Sequence, residues 1–270
     1  MRRNIKNRRI RTRRIFFRHR GRTLTREGGL KKIDVKVLCD PIVRETTMPL
    51  YIIEGNIGAG KSTLLENLST AVFDFEHVVV QEPVDVWQGF KDISGTSIFE
   101  KYYGDMNKYG FVFQTLILTT RVECILDAVK SHPDKVVFCE RSFLTDKHIF
   151  AKGMYDDNKL DEMSWRVFDH IYDFVTKEIH IHIDGMIYLR CDPDVCMRRI
   201  GARARAGELA IAPGYIEKLH RAHEAWMGEA GGPLLTIDGN GDLSDTDHWR
   251  DEMRRIAQFV TQPRDCCQCA

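Results

Sequence analysis

An α/β domain on a parallel sheet is the fold class this sequence predicts, and three observations predict it. Short β-branched runs alternate with longer amphipathic stretches from residue 49 onward. A glycine-rich motif joins the first run to the first stretch. Glycine and proline fall between segments rather than inside them. The chain has 270 residues, 43% hydrophobic and 29% charged, which suits one α/β domain and excludes collagen-like, coiled-coil and fully disordered chains. No window approaches about 18 consecutive apolar residues, so no membrane-spanning helix is expected.

The runs at 50–53, 78–81, 135–139, 186–189 and 234–237 are the expected strands. Helices are expected over 61–71, 111–130, 164–178, 193–205, 215–228 and 245–260. Within the second of these, Phe113, Leu116, Ile117 and Thr120 keep the spacing of one helix face. Trp165, Phe168, Ile171 and Tyr172 do the same in the third, as core or as a dimer face. No internal repeat is visible, and residues 48–262 form one domain.

Charge divides the chain. Residues 1–47 hold 16 Lys/Arg and 4 Asp/Glu, whereas the remainder holds 24 and 35, so a basic arm precedes an acidic body. The arm lacks the apolar content to fold alone. Three readings stay open: a targeting presequence, a nuclear-localisation or nucleic-acid-contacting segment, or a dispensable extension. The location is cytoplasmic by default, mitochondrial or nuclear if the arm is an address. Eight cysteines are too sparse over the body for a disulfide scaffold and read as reduced thiols. Residues 263–270, with three of them, read as a flexible tail.

Gly55-Asn56-Ile57-Gly58-Ala59-Gly60-Lys61-Ser62 matches G-x-x-x-x-G-K-[ST], with a strand before it and a helix start after it. The glycines let successive N–H groups face phosphate oxygens at a helix N-terminus. Lys61 supplies a charge for the terminal phosphates, and the Ser62 hydroxyl can ligate Mg²⁺. The motif marks a nucleoside-triphosphate site but does not name what receives the phosphate.

Three weaker constellations follow in order. Glu82, before Pro83, sits at the end of the second run, where open α/β sheets bind ligands, and could accept a proton from a hydroxyl. Glu140-Arg141-Ser142 ends the third run; Arg141 suits a transferring phosphoryl group and Glu140 suits Mg²⁺. Arg198, Arg199, Arg203 and Arg205 crowd the end of the fourth helix, as a solvated face or a mobile lid. His220, His223 and Glu224 share one helix, but their spacing is too loose to predict a metal.

Five ordered strings carry a resemblance: 53–62, then Gln81-Glu82-Pro83-Val84 with Trp87, then 111–115, then Glu140-Arg141-Ser142 with Asp146, then 215–220 with Glu224 and Trp226. Over about residues 48–259 the chain resembles the deoxyribonucleoside kinases. The resemblance implies a P-loop kinase fold with a five-stranded parallel sheet, flanking helices, an arginine-rich lid and a homodimer packed through helices. It implies transfer of the γ-phosphoryl group of ATP or another triphosphate, with Mg²⁺, to the 5′-hydroxyl of a deoxynucleoside. By that likeness Glu82 is the general base, with Arg141 and Lys61 at the phosphoryl group. The loop from Gly55 to Thr63, with Arg199, Arg203 and Arg205, holds the donor. Gln114 reads the base edge, Trp87 and Phe113 wall the ring, and Tyr103 and Glu208 hold the 3′-hydroxyl.

Arg121 lies two helical turns after Gln114 on the same face, and resembling enzymes that favour deoxycytidine or purines pair an Arg with an Asp at this position and that of Asp146. An ionised Asp146 accepts from an exocyclic amino group and disfavours the O4 of thymine. The expectation is therefore deoxycytidine or a purine deoxynucleoside over thymidine. The alternatives are a thymidine-using or broad-specificity kinase and a non-catalytic subunit on the same fold. Two departures stand out: Ile117 narrows the base pocket, and glycines occupy the donor-base loop at 239 and 241.

Overall fold

The computed structural model describes residues 49–262 apart from 180, 206, 207, 209 and 210. The basic arm, the tail at 263–270 and His180 lie outside the described residues. In chain order the elements are β1 (Leu50–Glu54), α1 (Lys61–Thr70), β2 (His77–Val80), α2 (Val84–Gly89), α3 (Ile98–Gly104), α4 (Met106–Ser131) and β3 (Val136–Glu140). There follow α5 (Phe143–Thr145), a π-helical stretch (Asp146–Ala151), α6 (Lys152–Asp156), α7 (Glu162–Ile179), β4 (Gly185–Arg190), α8 (Pro193–Arg203), α9 (Pro213–Glu229), β5 (Leu234–Asp238) and α10 (Thr246–Thr261).

The five strands form one parallel sheet in the order β2-β3-β1-β4-β5. Every residue of β1 and β3 is buried, as central strands covered on both faces must be. One apolar cluster joins Tyr51, Ile53, Phe138, Ile187 and Leu189 to α1, α8, α9 and α10. The other joins Ile52, Val137 and Cys139 to α2, α3, α4 and α7. β1 is the switch point: its chain leaves towards β2 on one side, with β4 on the other, so a crevice opens at the carboxyl ends of β1 and β3.

All five expected strands and six expected helices form, with ends moved by physical detail. α4 begins at Met106 because Asp105 caps it, accepting from the Lys108 N–H at 3.1 Å. α8 stops at Arg203 because Ala204 turns left-handed, φ 48°. α2 and α3 were not foreseen: six and seven residues are too few to show a period. The Ser97–Glu100 capping box that starts α3 was nonetheless readable as S-x-x-E. The π-helical stretch carries no sequence signal, and π turns recur at functional sites.

Candidate active site

The phosphate loop leaves β1 after Glu54 and closes into α1 at Lys61. Gly58 and Gly60 sit at φ 79° and 104°, a region that disfavours side chains. Space forbids one as well, since a Cβ on Gly58 would lie 2.5 Å from the Cys196 carbonyl oxygen. Asn56 pins the loop from inside: its Nδ2 donates to the Ile216 carbonyl at 2.9 Å and its Oδ1 accepts from the Ile57 N–H at 2.8 Å. The first N–H groups of α1 have no preceding turn to bond to and face the crevice. Lys61 Nζ donates to the Asn56 carbonyl at 2.9 Å and lies 4.0 Å from Glu140. Burial, with Arg141 adding to it, pushes the Lys61 ammonium down to about 8.

Glu140 ends β3, and Arg141 follows with φ 60°. A left-handed arginine is strained, and its bonds explain why it is held so. The Arg141 N–H donates to the Ile53 carbonyl at 3.0 Å, Nη1 to Glu82 Oε1 at 2.8 Å and Nη2 to the Gly55 carbonyl at 3.2 Å. The Phe150 ring packs 5.1 Å from the guanidinium carbon.

Arg121 reaches the same carboxylate from α4. Its Nη2 donates to Glu82 Oε1 at 2.9 Å, its Nη1 to the Glu140 carbonyl at 3.0 Å, and its Nε to both oxygens of Asp146 at 3.1 and 3.0 Å. Burial opposes ionisation of Glu82, but Arg141, Arg121 and Lys61 together outweigh it and hold the carboxyl well below the usual range. Asp146 is wholly buried, and burial outweighs the opposing pull of Arg121 to leave its carboxyl raised to about 6. Burial and the nearby Glu82 raise Glu140.

A cavity of about 630 Å³ runs from Lys61, Ser62 and Thr63 past Glu82 and Arg141 to Trp87, Phe113, Gln114 and Ile117. Trp87 Nε1 donates to the Thr120 hydroxyl at 2.9 Å, and Trp87 meets Phe113 edge-on at 5.9 Å. Gln114 is buried; its Nε2 reaches the Tyr102 hydroxyl at 3.5 Å and its Oε1 has no hydrogen-bond partner among the described residues. Tyr103 and Glu208 line the same space. Arg203 and Arg205 pair with Glu208 at 2.5 and 3.2 Å.

A family model described as deoxynucleoside kinase matches residues 51–261. The chain belongs to that family. It is 34% identical over 216 residues to a probable deoxycytidine kinase of fowlpox virus, covering 78% of this chain and 87% of that protein. Against the deoxycytidine kinase of Homo sapiens the identity is 32% over 239 residues, 77% of this chain and 90% of the relative. A mitochondrial deoxyguanosine kinase of Xenopus laevis is 31% identical over 200 residues, 68% and 75% of the two chains. The protein is accordingly a phosphotransferase with a nucleotide donor and a nucleoside acceptor.

Within this deoxynucleoside kinase, Glu82, Trp87, Tyr103, Phe113, Gln114, Arg121, Glu140, Arg141, Glu208 and the Lys61–Thr63 corner all border one cavity. Asp146 stands behind Arg121. Arg199 borders the cavity too, but its guanidinium is bonded to backbone carbonyls. His220, His223 and Glu224 do not converge: His223 Nδ1 contacts the Leu219 carbonyl at 2.7 Å, while Glu224 accepts from Tyr188 at 2.7 Å and Arg190 at 3.0 Å.

Sequence reasoning missed Glu54, Tyr102 and Phe150. Glu54 lies wholly buried under the phosphate loop, hydrogen-bonded by the Thr145 hydroxyl, and burial pushes its carboxyl up to about 7. A glutamate at the end of an apolar run was its only signal.

Proposed function

We propose that the protein transfers the γ-phosphoryl group of ATP to the 5′-hydroxyl of deoxycytidine in preference to thymidine, as a Mg²⁺-dependent homodimer. The observation that carries this reading is Glu82. Arg121 and Arg141 donate to the same oxygen, Oε1, which leaves Oε2 for the acceptor. Held ionised, Glu82 is a weak base, and that suits phosphoryl transfer: the loose transition state forms little bond to the nucleophile, so the proton leaves late. Arg141 donates towards the transferring group, and Lys61 moves from the Asn56 carbonyl to the donor phosphates, whose charge restores its own.

Ser62 and Glu140 border the cavity beside Lys61 and offer hard oxygen donors, a set that fits Mg²⁺ completed by phosphate oxygens and water. When bound, the ion neutralises charge on the phosphates. Arg203 and Arg205 are the lid arms that move from Glu208 to the donor, freeing Glu208 and Tyr103 for the 3′-hydroxyl.

At the far end, Gln114 presents an amide with an unpartnered oxygen to the base edge. Asp146 lies behind Arg121 and outside the cavity lining, but it keeps acceptor sites beyond the two used by Arg121 Nε, and in this reading the bound cytosine displaces the wall enough for its exocyclic amino group to reach them. Ile117 favours the smaller ring over a purine. Val112 on α4 and Met163, Val167 and Phe174 on α7 are exposed apolar residues on two packed helices, and they supply the dimer face.

The test is product analysis with the full chain, ATP-Mg²⁺ and each of the four common deoxynucleosides. Deoxycytidine monophosphate is the expected main product, and Glu82→Gln lowers kcat by about 10²–10⁴-fold. Thymidine monophosphate as the main product, or full turnover by Glu82→Gln, contradicts the reading.

A further inference from the structure

Glu54, the last residue of β1, is wholly buried and takes no direct part in the transfer. Its carboxyl group has one hydrogen-bond donor among the described residues, the Thr145 hydroxyl on Oε1, and Oε2 has none. Burying a carboxyl group with so little support is costly, so its one bond must serve something. Among charged groups, Arg141 acts on Glu54 most strongly, ahead of Arg121 and Lys61.

The Thr145 hydroxyl works in both directions. Its proton goes to Glu54, which leaves its oxygen to accept in turn, and the donor is the Ser142 N–H at 3.2 Å. Ser142 closes the same turn from its own side. Its Oγ accepts from the Leu144 N–H at 3.2 Å, and its carbonyl accepts from the Asp146 N–H at 3.3 Å. The turn at 142–146 is thus tied to itself and, through one hydroxyl, to β1.

Arg141 sits just before this turn. Its φ of 60° lies in the left-handed region, which a residue with a side chain keeps only where its surroundings over-determine it. Three consecutive residues at the end of β1 supply the holds. The Ile53 carbonyl accepts the Arg141 N–H at 3.0 Å, and the Gly55 carbonyl accepts Nη2 at 3.2 Å. Between them the Glu54 side chain grips the turn that follows Arg141 and so fixes the direction in which the chain leaves it.

We infer that Glu54 is a positioning residue for Arg141: through Thr145 it fixes the Ser142 turn, and that turn holds Arg141 in the left-handed conformation that aims its guanidinium at Glu82. The inference rests on the phosphoryl-transfer role proposed for Arg141 for its effect on turnover, but not for its geometry.

One readout tests the geometry and another the turnover. Full-length wild type is compared with Thr145→Val, Thr145→Ser, Glu54→Leu and the Glu54→Leu, Thr145→Val double variant. Thr145→Val keeps the branched shape and removes the hydroxyl. Amide hydrogen exchange at Arg141 should speed up about tenfold in this variant, while the Ile52 N–H inside β1 keeps its protection. With ATP-Mg²⁺ and the deoxynucleoside that wild type uses fastest, kcat should fall about tenfold and both KM values should stay within about twofold. Thr145→Ser, which restores the hydroxyl, should bring both readouts back to within about twofold of wild type. Glu54→Leu should match Thr145→Val, and the double variant should be no slower than either, because two residues that act in series are lost only once. If Glu54→Leu fails to fold, the Thr145 pair decides, since that hydroxyl has no other acceptor among the described residues.

Unchanged exchange at Arg141 in Thr145→Val overturns the inference. So does a Thr145→Ser variant as slow as Thr145→Val, or losses that multiply to about a hundredfold in the double variant. Faster exchange at Arg141 with kcat unchanged supports the hold by Glu54 and rejects the role proposed for Arg141 instead.

Discussion

The two ends of the cavity are built on different principles. At the acceptor end, buried charges hold one another: Glu82, Arg121, Asp146 and Arg141 form a network in which one carboxylate oxygen takes two guanidinium donors. At the donor end, side chains hold backbone: Asn56 pins the phosphate loop to α9, and Arg199 pins the same loop to the turn after β5. Buried charge is intolerant of single changes, because an orphaned partner keeps its desolvation penalty. Backbone clamps should loosen by degrees. The acceptor end should thus fail sharply and the donor end gradually.

The largest effect that tests this difference is expected at Arg141. Arg141→Lys keeps the charge but loses the fork that spans Glu82 and Gly55, and kcat should fall by at least about 10²-fold with little change in either KM. A drop confined to KM would place Arg141 in ground-state binding.

Next comes stability. Asp146→Ala leaves Arg121, only 2% exposed, beside a vacated site, and thermal or denaturant unfolding should show a loss of about 3–5 kcal/mol. Arg121→Met with Asp146→Ala removes both charges and should recover most of it. A double variant as unstable as the single one would mean that packing, not charge, holds this end.

Ile117 offers a smaller effect. Ile117→Ala widens the base pocket and should raise kcat/KM for deoxyadenosine about tenfold relative to deoxycytidine. An unchanged ratio would remove Ile117 from base-size selection.

The smallest is a pH effect. Asp146 has a carboxyl raised to about 6, so it is ionised above that pH and neutral below. A neutral carboxyl can donate to the O4 of thymine, so the preference for deoxycytidine over thymidine should narrow by a few fold between about pH 7.5 and 5.5. In Asp146→Asn the ratio should stay flat over that range.

The sequence made the sheet and the donor loop legible for the same reason. β1 and β3 are buried on both faces and so read as unbroken apolar runs, and a backbone that must cradle phosphate needs glycines at fixed offsets. Glu82 and Arg141 were weakly legible as charged residues at strand ends, and Trp87, Gln114, Arg121 and Asp146 only through resemblance. Glu82 follows β2, Arg121 lies on α4 and Arg141 follows β3, and no spacing predicts that one Glu82 oxygen joins both guanidiniums. The bonds of Arg199 were not legible, because a cluster of arginines says nothing of where each side chain points. α8 gives Arg199 a different heading from Arg203, one turn later and facing Glu208. Glu54 was missed because a buried carboxyl under the loop looks, in sequence, like the last residue of a strand.

The central claim is that the Arg121–Asp146 pair selects the acceptor base while Glu82 and Arg141 carry out the transfer. Its most direct test is kcat/KM for deoxycytidine against thymidine in the full-length wild type and in the Arg121→Met, Asp146→Ala double variant. Wild type should favour deoxycytidine by at least about tenfold. The folded double variant should lose that preference and gain thymidine turnover. Wild type favouring thymidine, or a double variant with the ratio unchanged, would contradict the account.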